Sequence, residues 1–363
     1  MMSKFVNRFA CIVALCAACV LPMEAQAADK SAKDLGRAKK AVQTVKKEAS
    51  VKLKDTRFTA SIAWLQSSAE YKALCYQTYN MAAQAINDQI RLGSYVRVNG
   101  KLCEETLERT EDGKLMRIYH PLAIVLDVDE TVVDNSGIEV WCLLNQIPYD
   151  ENIWGAWCRF QAENKEACKE VPGAVSFLLY CQEMGITPIY LTDRDESARE
   201  YTRRALENLG LGTDDLDKCL ILHNKKRDEA AAKKLLEDMG ESATSVLGQE
   251  VTNNYSKKAG RRVEVRTKYK VLGWFGDNLY DMPVFVSRDL TKCEDVLEAR
   301  NEQVKQHVNK LGNVFFILPN PIYGSWLKKE TIPDADMSSV MSDYGFGPWY
   351  EKHKANLKEA SGR

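Results

Sequence analysis

The stretch Ile124-Val125-Leu126-Asp127-Val128-Asp129-Glu130-Thr131-Val132 constrains this chain more than any other. Its apolar run suits a buried parallel strand, and it delivers two aspartates, two positions apart, to the strand's carboxyl end. Open α/β sheets bind their ligands at the carboxyl ends of their strands. A carboxylate buried there is costly unless a metal ion or a basic side chain answers it. An Asp-x-Asp pair in such a place can divide nucleophilic and acid–base work between its two members. The bland alternative is a strand that ends in a polar turn.

Three downstream segments weigh against the bland reading. Ile189-Tyr190-Leu191-Thr192-Asp193-Arg194 is a second apolar run that ends in a hydroxyl residue, where a phosphate oxygen can bind. Lys257 and Lys258 open a basic stretch, continued by Arg261 and Arg262, that can supply a cation to the same phosphate. A third apolar run, from Val271 to Phe275, ends in Gly276-Asp277-Asn278, with Asp281 four positions after Asp277. Hard oxygen donors of this kind suit Mg²⁺, which keeps several waters and takes one or two protein carboxylates. Strand ends bearing Asp, Thr and Asp, with a lysine between the last two, predict a phosphoryl-transfer site.

In these motifs the sequence resembles the haloacid dehalogenase superfamily, and within it the class C acid phosphatases related to outer-membrane lipoprotein e. The resemblance runs from about Trp64 to Trp326. It includes Ser68-Ala69-Glu70-Tyr71 with Gln77 and Tyr79, Leu126-Asp127-Val128-Asp129-Glu130-Thr131, and Trp154 with Trp157. It also includes Val171-Pro172-Gly173-Ala174, Gly276-Asp277-Asn278-Leu279 and Pro319-Asn320-Pro321-Ile322-Tyr323-Gly324-Ser325-Trp326. The resemblance implies that Asp127 is the nucleophile that becomes an aspartyl-phosphate, and that Asp129 acts as general acid, then base. It implies that Thr192 and a lysine hold the phosphoryl group. Lys258 fits the family spacing to Arg261-Arg262 better, with Lys257 beside it as the alternative. It further implies that Asp277 binds Mg²⁺ with the Asp127 carboxylate and the Asp129 backbone carbonyl, and that Asp281 supports the metal's water shell. The implied fold is α/β, a Rossmann-like parallel sheet flanked by helices, with an N-terminal helical extension and a small cap insertion.

Elementary chemistry agrees with these roles. A carboxylate attacking a phosphate dianion meets charge repulsion, so the site needs a divalent cation and a lysine. A leaving alkoxide needs a proton, which a second carboxylate can give. A halide would need none, so Asp129 argues against dehalogenation. A covalent intermediate splits one hard displacement into two easier ones. The activity expected is Mg²⁺-dependent hydrolysis of phosphomonoesters, with nucleoside 5′-monophosphates or nicotinamide mononucleotide as substrates by resemblance. Rings at Trp154, Trp157 or Tyr323 can stack on a base, although a tryptophan in a cap segment is more often core. Two other classes use the same features. A phosphotransferase would pass the phosphoryl group to an alcohol or nucleoside, and a non-catalytic envelope protein would keep only the fold.

Charge and cysteine content bound the setting. The chain carries 50 basic and 51 acidic side chains over 363 residues, for a net charge of −1, which points to neither a nucleic acid polymer nor an anionic membrane as partner. Residues 1–27 read as a secretory signal, with Lys4 and Arg8, an apolar run from Phe9 to Leu21, and Ala25-Gln26-Ala27 as cleavage site. That run is too short for a comfortable membrane span. Cys16 and Cys19 lack the flanking residues of a lipid-anchor signal, so a periplasmic or secreted protein without an anchor is expected. Eight of the 11 cysteines lie beyond residue 27, an even number that reads as disulfides in an exported chain. Cys142, Cys158 and Cys168 are the expected staple of one segment. Cys103 and Arg109 have the Cys-x5-Arg spacing of cysteine phosphatases, but the residues between them are acidic and lack glycine, so they would repel phosphate.

The expected organisation is a signal over 1–27, a polar helical or flexible segment over 28–57, a phosphatase domain over 58–330 and an irregular tail over 331–363. Within the domain, a cap insertion is placed at about 135–170 and an extra insertion at about 224–256, the latter a surface hairpin, a cap element or a homodimer contact. A helix is expected from Thr59 to about Arg91, with Ile62, Leu65, Ala69, Leu74 and Tyr79 facing the core, and another from Pro172 to Met184. Strands are expected at 219–222 and 314–318.

Overall fold

The computed structural model describes residues 56–326, apart from 111, 146–147, 149–150, 225, 229, 231–257, 285, 287–289 and 291–292. The expected signal, most of the 28–57 segment, nearly all of the 224–256 insertion, the 331–363 tail and Lys257 therefore lie outside the described residues.

The described chain begins with α1 (Thr56–Ser67) and α2 (Ala69–Leu92), then β1 (Tyr95–Val98), β2 (Lys101–Arg109) and β3 (Leu115–Leu126). Next come β4 (Val133–Asp134), α3 (Ser136–Asn145), α4 (Glu151–Glu163) and β5 (Lys169–Glu170), which pairs back on β4. The chain continues through α5 (Ala174–Glu183), β6 (Thr187–Asp195), α6 (Arg199–Asn208), the single turn α7 (Leu216–Cys219) and β7 (Leu220–His223). After residue 257 come α8 (Ala259–Lys268), β8 (Lys270–Gly276), α9 (Cys293–Gln306) and β9 (Phe315–Ile317).

β3 is the axis of the sheet. Its second half, Leu122–Leu126, is buried and pairs in parallel with β6 on one side and β8 on the other. β7 adds beyond β6 and β9 beyond β8, giving a parallel order β9-β8-β3-β6-β7. Strands covered on both faces read as unbroken apolar runs, which is why the three motif runs stand out in the sequence. The strand order reverses between β3 and β8, and the crevice at such a switch point is where α/β sheets bind ligands. Both aspartate-bearing strand ends border it.

The first half of β3 leaves the parallel sheet and pairs antiparallel with β2, from Cys103↔Pro121 to Arg109↔Leu115. This extension is not legible in the sequence, because Glu104, Glu105 and Glu108 break the apolar alternation that marks a strand. It disposes of the Cys-x5-Arg pair: Cys103 and Arg109 stand in one extended strand, roughly 20 Å apart at the usual rise per residue.

The single helix expected from Thr59 is two helices. Ser68, with extended backbone (φ −76, ψ 143), breaks the run, and its hydroxyl accepts from the Tyr71 amide to start α2. The break resets the helical phase. Tyr71, Cys75, Thr78, Tyr79, Ala82 and Ile86 form the buried stripe, while Leu74 and Ala69, expected inside, are exposed. Tyr79 and Phe177 of α5 pack together at 5.2 Å and against Phe275 of β8, which stacks on Phe316 of β9 at 4.7 Å. Tyr79 Oη donates to the Thr131 carbonyl at 2.5 Å, tying α2 to the loop after the first motif. α5 starts at Ala174 rather than at Pro172, because Gly173 at its N-cap takes a left-handed backbone (φ 89).

The cysteine expectation is corrected. Cys75, Cys103, Cys158, Cys168, Cys181 and Cys219 are buried free thiols, so Cys158 and Cys168 staple nothing. Burial pushes the thiols of Cys75, Cys158 and Cys168 up to about 11. They serve as small apolar core residues. Among the described residues no helix is long and apolar enough to cross a membrane.

Candidate active site

β3 and β8 end side by side, joined by the Asp127 amide donating to the Phe275 carbonyl at 3.0 Å. This register brings Asp127 and Asp277 to neighbouring strand ends, and one turn of 3₁₀ helix at Leu279–Asp281 returns Asp281 to the same point. One carboxylate oxygen from each of Asp127, Asp277 and Asp281 lies within 4.8 Å of the others. Asp281 is pinned by a capping box: the Asn278 amide donates to its Oδ2 at 3.0 Å, while the Asn278 side chain accepts from the Tyr280 amide. Gly276 makes room, since a Cβ there would stand 2.0 Å from Asp281 Oδ2.

Lys258 Nζ bridges the cluster, 2.6 Å from Asp127 Oδ1 and 2.7 Å from Asp281 Oδ1. Burial works against this ammonium, but Asp127 and Asp281 outweigh it and raise its pKa. One cation among three carboxylates leaves the cluster negative. Burial pushes Asp127 well above the usual carboxylate range, with Asp281, Asp277 and Asp129 adding to the push against the pull of Lys258. Asp277 is driven up to about 7 by burial and then by Asp281, although Asn320 Nδ2 donates to its Oδ2 at 2.8 Å. Clustered oxygens, an unbalanced charge and a glycine cradle are the donor set a divalent cation requires, and the residues fit one.

Asp129 is built into a second arm. Arg194, almost fully buried, donates to it through Nη2 to Oδ1 at 2.7 Å and through Nε to both oxygens at 3.0 and 3.1 Å. Asn135 Nδ2 donates to Oδ1 at 2.8 Å, and Thr192 Oγ1 lies 3.5 Å from Oδ2. Glu130, the next residue, takes a left-handed backbone (φ 52), rare for a side chain of its size. That turn sends its buried carboxylate to Asn135, whose backbone amide donates to Oε1 at 2.7 Å. Burial, then Asp129 and Asp277, pushes the Glu130 pKa well up. Thr192 accepts the Arg194 amide at 3.1 Å, so one turn at the end of β6 aims both side chains at Asp129.

The basic stretch after residue 257 is a clamp rather than a solvated face. Arg261 and Arg262 are both buried. Arg261 donates to the Thr192 carbonyl at 2.6 Å and pairs with Asp193 at 2.5 Å and Asp228 at 3.2 Å. Arg262 donates to the Tyr280 carbonyl at 2.6 Å. α8 thus binds the end of β6 to the turn after β8, with Lys258 at its N-cap held between them.

Of the residues singled out from sequence, Asp127, Asp277, Asp281 and Lys258 meet in one cluster, with Asp129 and Thr192 beside it. The Trp154 ring lies over the Arg194 guanidinium at 5.5 Å. The Trp157 indole donates to Asn135 Oδ1 at 2.9 Å, so it is part of the scaffold. The Tyr323 ring packs on the core and its amide donates to Asn320 at 3.3 Å. Arg194, Asn135, Glu130 and Asn320 were not anticipated, although each stands inside or next to a recognised motif.

The chain matches the model of the haloacid dehalogenase superfamily, subfamily IIIB (acid phosphatase), over residues 23–326. Among solved structures it is similar to the class C acid phosphatase from Bacillus anthracis, at 24% identity over 74% of this chain and 86% of that one, with a TM-score of 0.52. A second structure of that enzyme, with tungstate bound, aligns at 25% identity over 78% of this chain and 93% of that one, with a TM-score of 0.54. The chain therefore belongs to the acid phosphatases of haloacid dehalogenase subfamily IIIB and is a phosphomonoesterase.

Proposed function

We propose that this phosphatase is Mg²⁺-dependent, acts on nucleoside 5′-monophosphates or nicotinamide mononucleotide outside the cytoplasm, and works through an aspartyl-phosphate on Asp127. The observation that carries this reading is the meeting of Asp127, Lys258, Asp277 and Asp281 at the switch point, with Asp129 beside them. Asp127 and Asp277 would hold the metal through their carboxylates and Asp129 through its backbone carbonyl, with Asp281 holding metal-bound water. When bound, the cation offsets charge that develops on the phosphoryl oxygens.

Asp127 attacks phosphorus as the bond to the leaving oxygen breaks. Lys258, already against Asp127, neutralises the carboxylate–phosphate repulsion. Thr192 donates to a phosphoryl oxygen. Asp129 gives its proton to the leaving oxygen and then takes one from the water that frees Asp127. Tungstate in the Bacillus anthracis enzyme supports a site of this kind for a tetrahedral oxyanion. Trp154, stacked beside the arginine that holds Asp129, supports a ring on the leaving-group side.

Asp127→Asn is expected to fold and to lose phosphate release by more than about a thousandfold. Wild-type enzyme quenched in acid during turnover of labelled substrate should carry phosphate on Asp127. Turnover by the variant at the wild-type rate would remove the covalent route. A panel of nucleotides, sugar phosphates and aryl phosphates reads the substrate class, and a preference for sugar phosphates would overturn the nucleotide assignment.

A further inference from the structure

Asn135 is fully buried where the loop after the first motif enters α3, and every polar atom of its amide is used. The two orientations of an asparagine amide have nearly the same shape, so its partners decide between them. Here its partners agree: Trp157 on α4 presents a donor to one end of the amide, and the Asp129 and Glu130 carboxylates present acceptors to the other. An indole N–H can only donate, and it meets Asn135 Oδ1 at 2.9 Å. The amide nitrogen must then face the carboxylates, 2.8 Å from Asp129 Oδ1 and 3.3 Å from Glu130 Oε2. The chain also makes space for the indole. A Cβ on Gly137 would come within 2.6 Å of Trp157 Cη2, so a larger residue there would push the ring away from Asn135.

We propose that Trp157 is a positioning residue that fixes the proton donor Asp129 through Asn135, so that the cap segment anchors the amide that holds the acid. Asp129 Oδ1 is held by Asn135 at 2.8 Å and Arg194 Nη2 at 2.7 Å. Oδ2 is less engaged, with Arg194 Nε at 3.1 Å and Thr192 Oγ1 at 3.5 Å. Oδ2 is therefore the oxygen that passes the proton. The P–O bond breaks with its electron pair going to the leaving oxygen, which takes that proton while Asp127 bonds to phosphorus. Without the indole donor, Asn135 Oδ1 is left buried without its partner and the amide is no longer locked in place, so Asp129 keeps Arg194 but loses the fixed Asn135 contact. This inference rests on Asp129 being the general acid.

A leaving group that departs as a poor alkoxide needs the proton, whereas 4-nitrophenolate leaves readily without it. The measurement is kcat/KM, which covers steps only up to leaving-group departure, for a nucleoside 5′-monophosphate and for 4-nitrophenyl phosphate. Trp157→Phe keeps the ring and removes the N–H. It should lose roughly tenfold or more on the nucleotide and less than about threefold on the aryl ester. Gly137→Ala, which displaces the indole, and Asn135→Asp, which replaces the donor by an acceptor of the same shape, should show the same bias. They carry the test if Trp157→Phe does not fold. Equal losses on both substrates, or none, in the folded variants overturn the proposal. Asp129→Asn separates the two readings. If it shows the bias and the others do not, the Trp157 role alone falls. If it shows no bias, the general-acid reading falls with it.

Discussion

Gly276 illustrates how much of this site depends on an absent side chain. A methyl group there would stand 2.0 Å from Asp281 Oδ2 and 2.3 Å from its Cβ, so Asp281 would have to shift against the contacts that hold it. The Asn278 amide and Lys258 hold its two oxygens from opposite sides. Gly276→Ala is expected to fold, to raise the half-saturating Mg²⁺ concentration and to lower kcat/KM by roughly tenfold or more, the cost of a small misplacement in a preorganised site. Activity titrated against Mg²⁺ tests this, and an unchanged half-saturation would show that Asp281 does not serve the metal. At this scale the candidate site was legible where polar side chains stand at the end of an apolar run. Asp127, Asp129, Thr192 and Asp277 stand out because a buried strand has no other use for them. Arg194 at the end of β6, and Glu130 and Asn135 in the turns after β3, stand beside those residues, and their meaning lies in partners that sequence order does not reveal: Arg194 reaches Asp129 across 65 positions.

At the scale of elements, the parallel strands were legible from their apolar content, whereas the breaks between helices and the antiparallel extension were not. Ser68 carries little signal within an otherwise helical run, yet its cap decides the phase of α2 and so brings Tyr79 to Phe275 and Thr131. Removing the cap should cost about 1 kcal/mol. Ser68→Ala is thus expected to lower Tm by a few degrees while leaving kcat/KM unchanged, as read by thermal unfolding and steady-state assay; a loss of activity at unchanged Tm would mean that Ser68 acts on the site directly. α8 hides its role in another way. Lys258, Arg261 and Arg262 are plainly basic, but three charges in five residues usually mark a solvated face. Burial reverses that meaning. Arg261 and Arg262 hold strand ends together, so removing either guanidinium leaves buried acceptors unanswered, whereas Lys258 alone faces Asp127.

Across the whole molecule, the fold concentrates negative charge where the order of its strands reverses, and the cost of that concentration should be measurable as stability. Asp127, Asp277 and Asp281 share one ammonium, and burial with mutual repulsion holds Asp127 and Asp277 above their usual pKa. A ligand that binds only the folded state stabilises it by RT ln(1 + [L]/Kd), about 2.7 kcal/mol at a hundred times Kd. The wild-type protein should therefore unfold at a clearly lower temperature in chelator than in saturating Mg²⁺. Asp277→Asn removes a ligand and a repelling charge together, and its amide oxygen can still accept from Asn320. In chelator the variant should be the more stable of the two proteins. In Mg²⁺ the order should invert, because the variant gains little from the cation and the wild type gains much. Thermal unfolding of both proteins under both conditions reads this crossing directly. A variant less stable than wild type in chelator would mean that Asp277 holds the fold together rather than straining it, and the crowded carboxylates would lose their reading as a place kept for a cation.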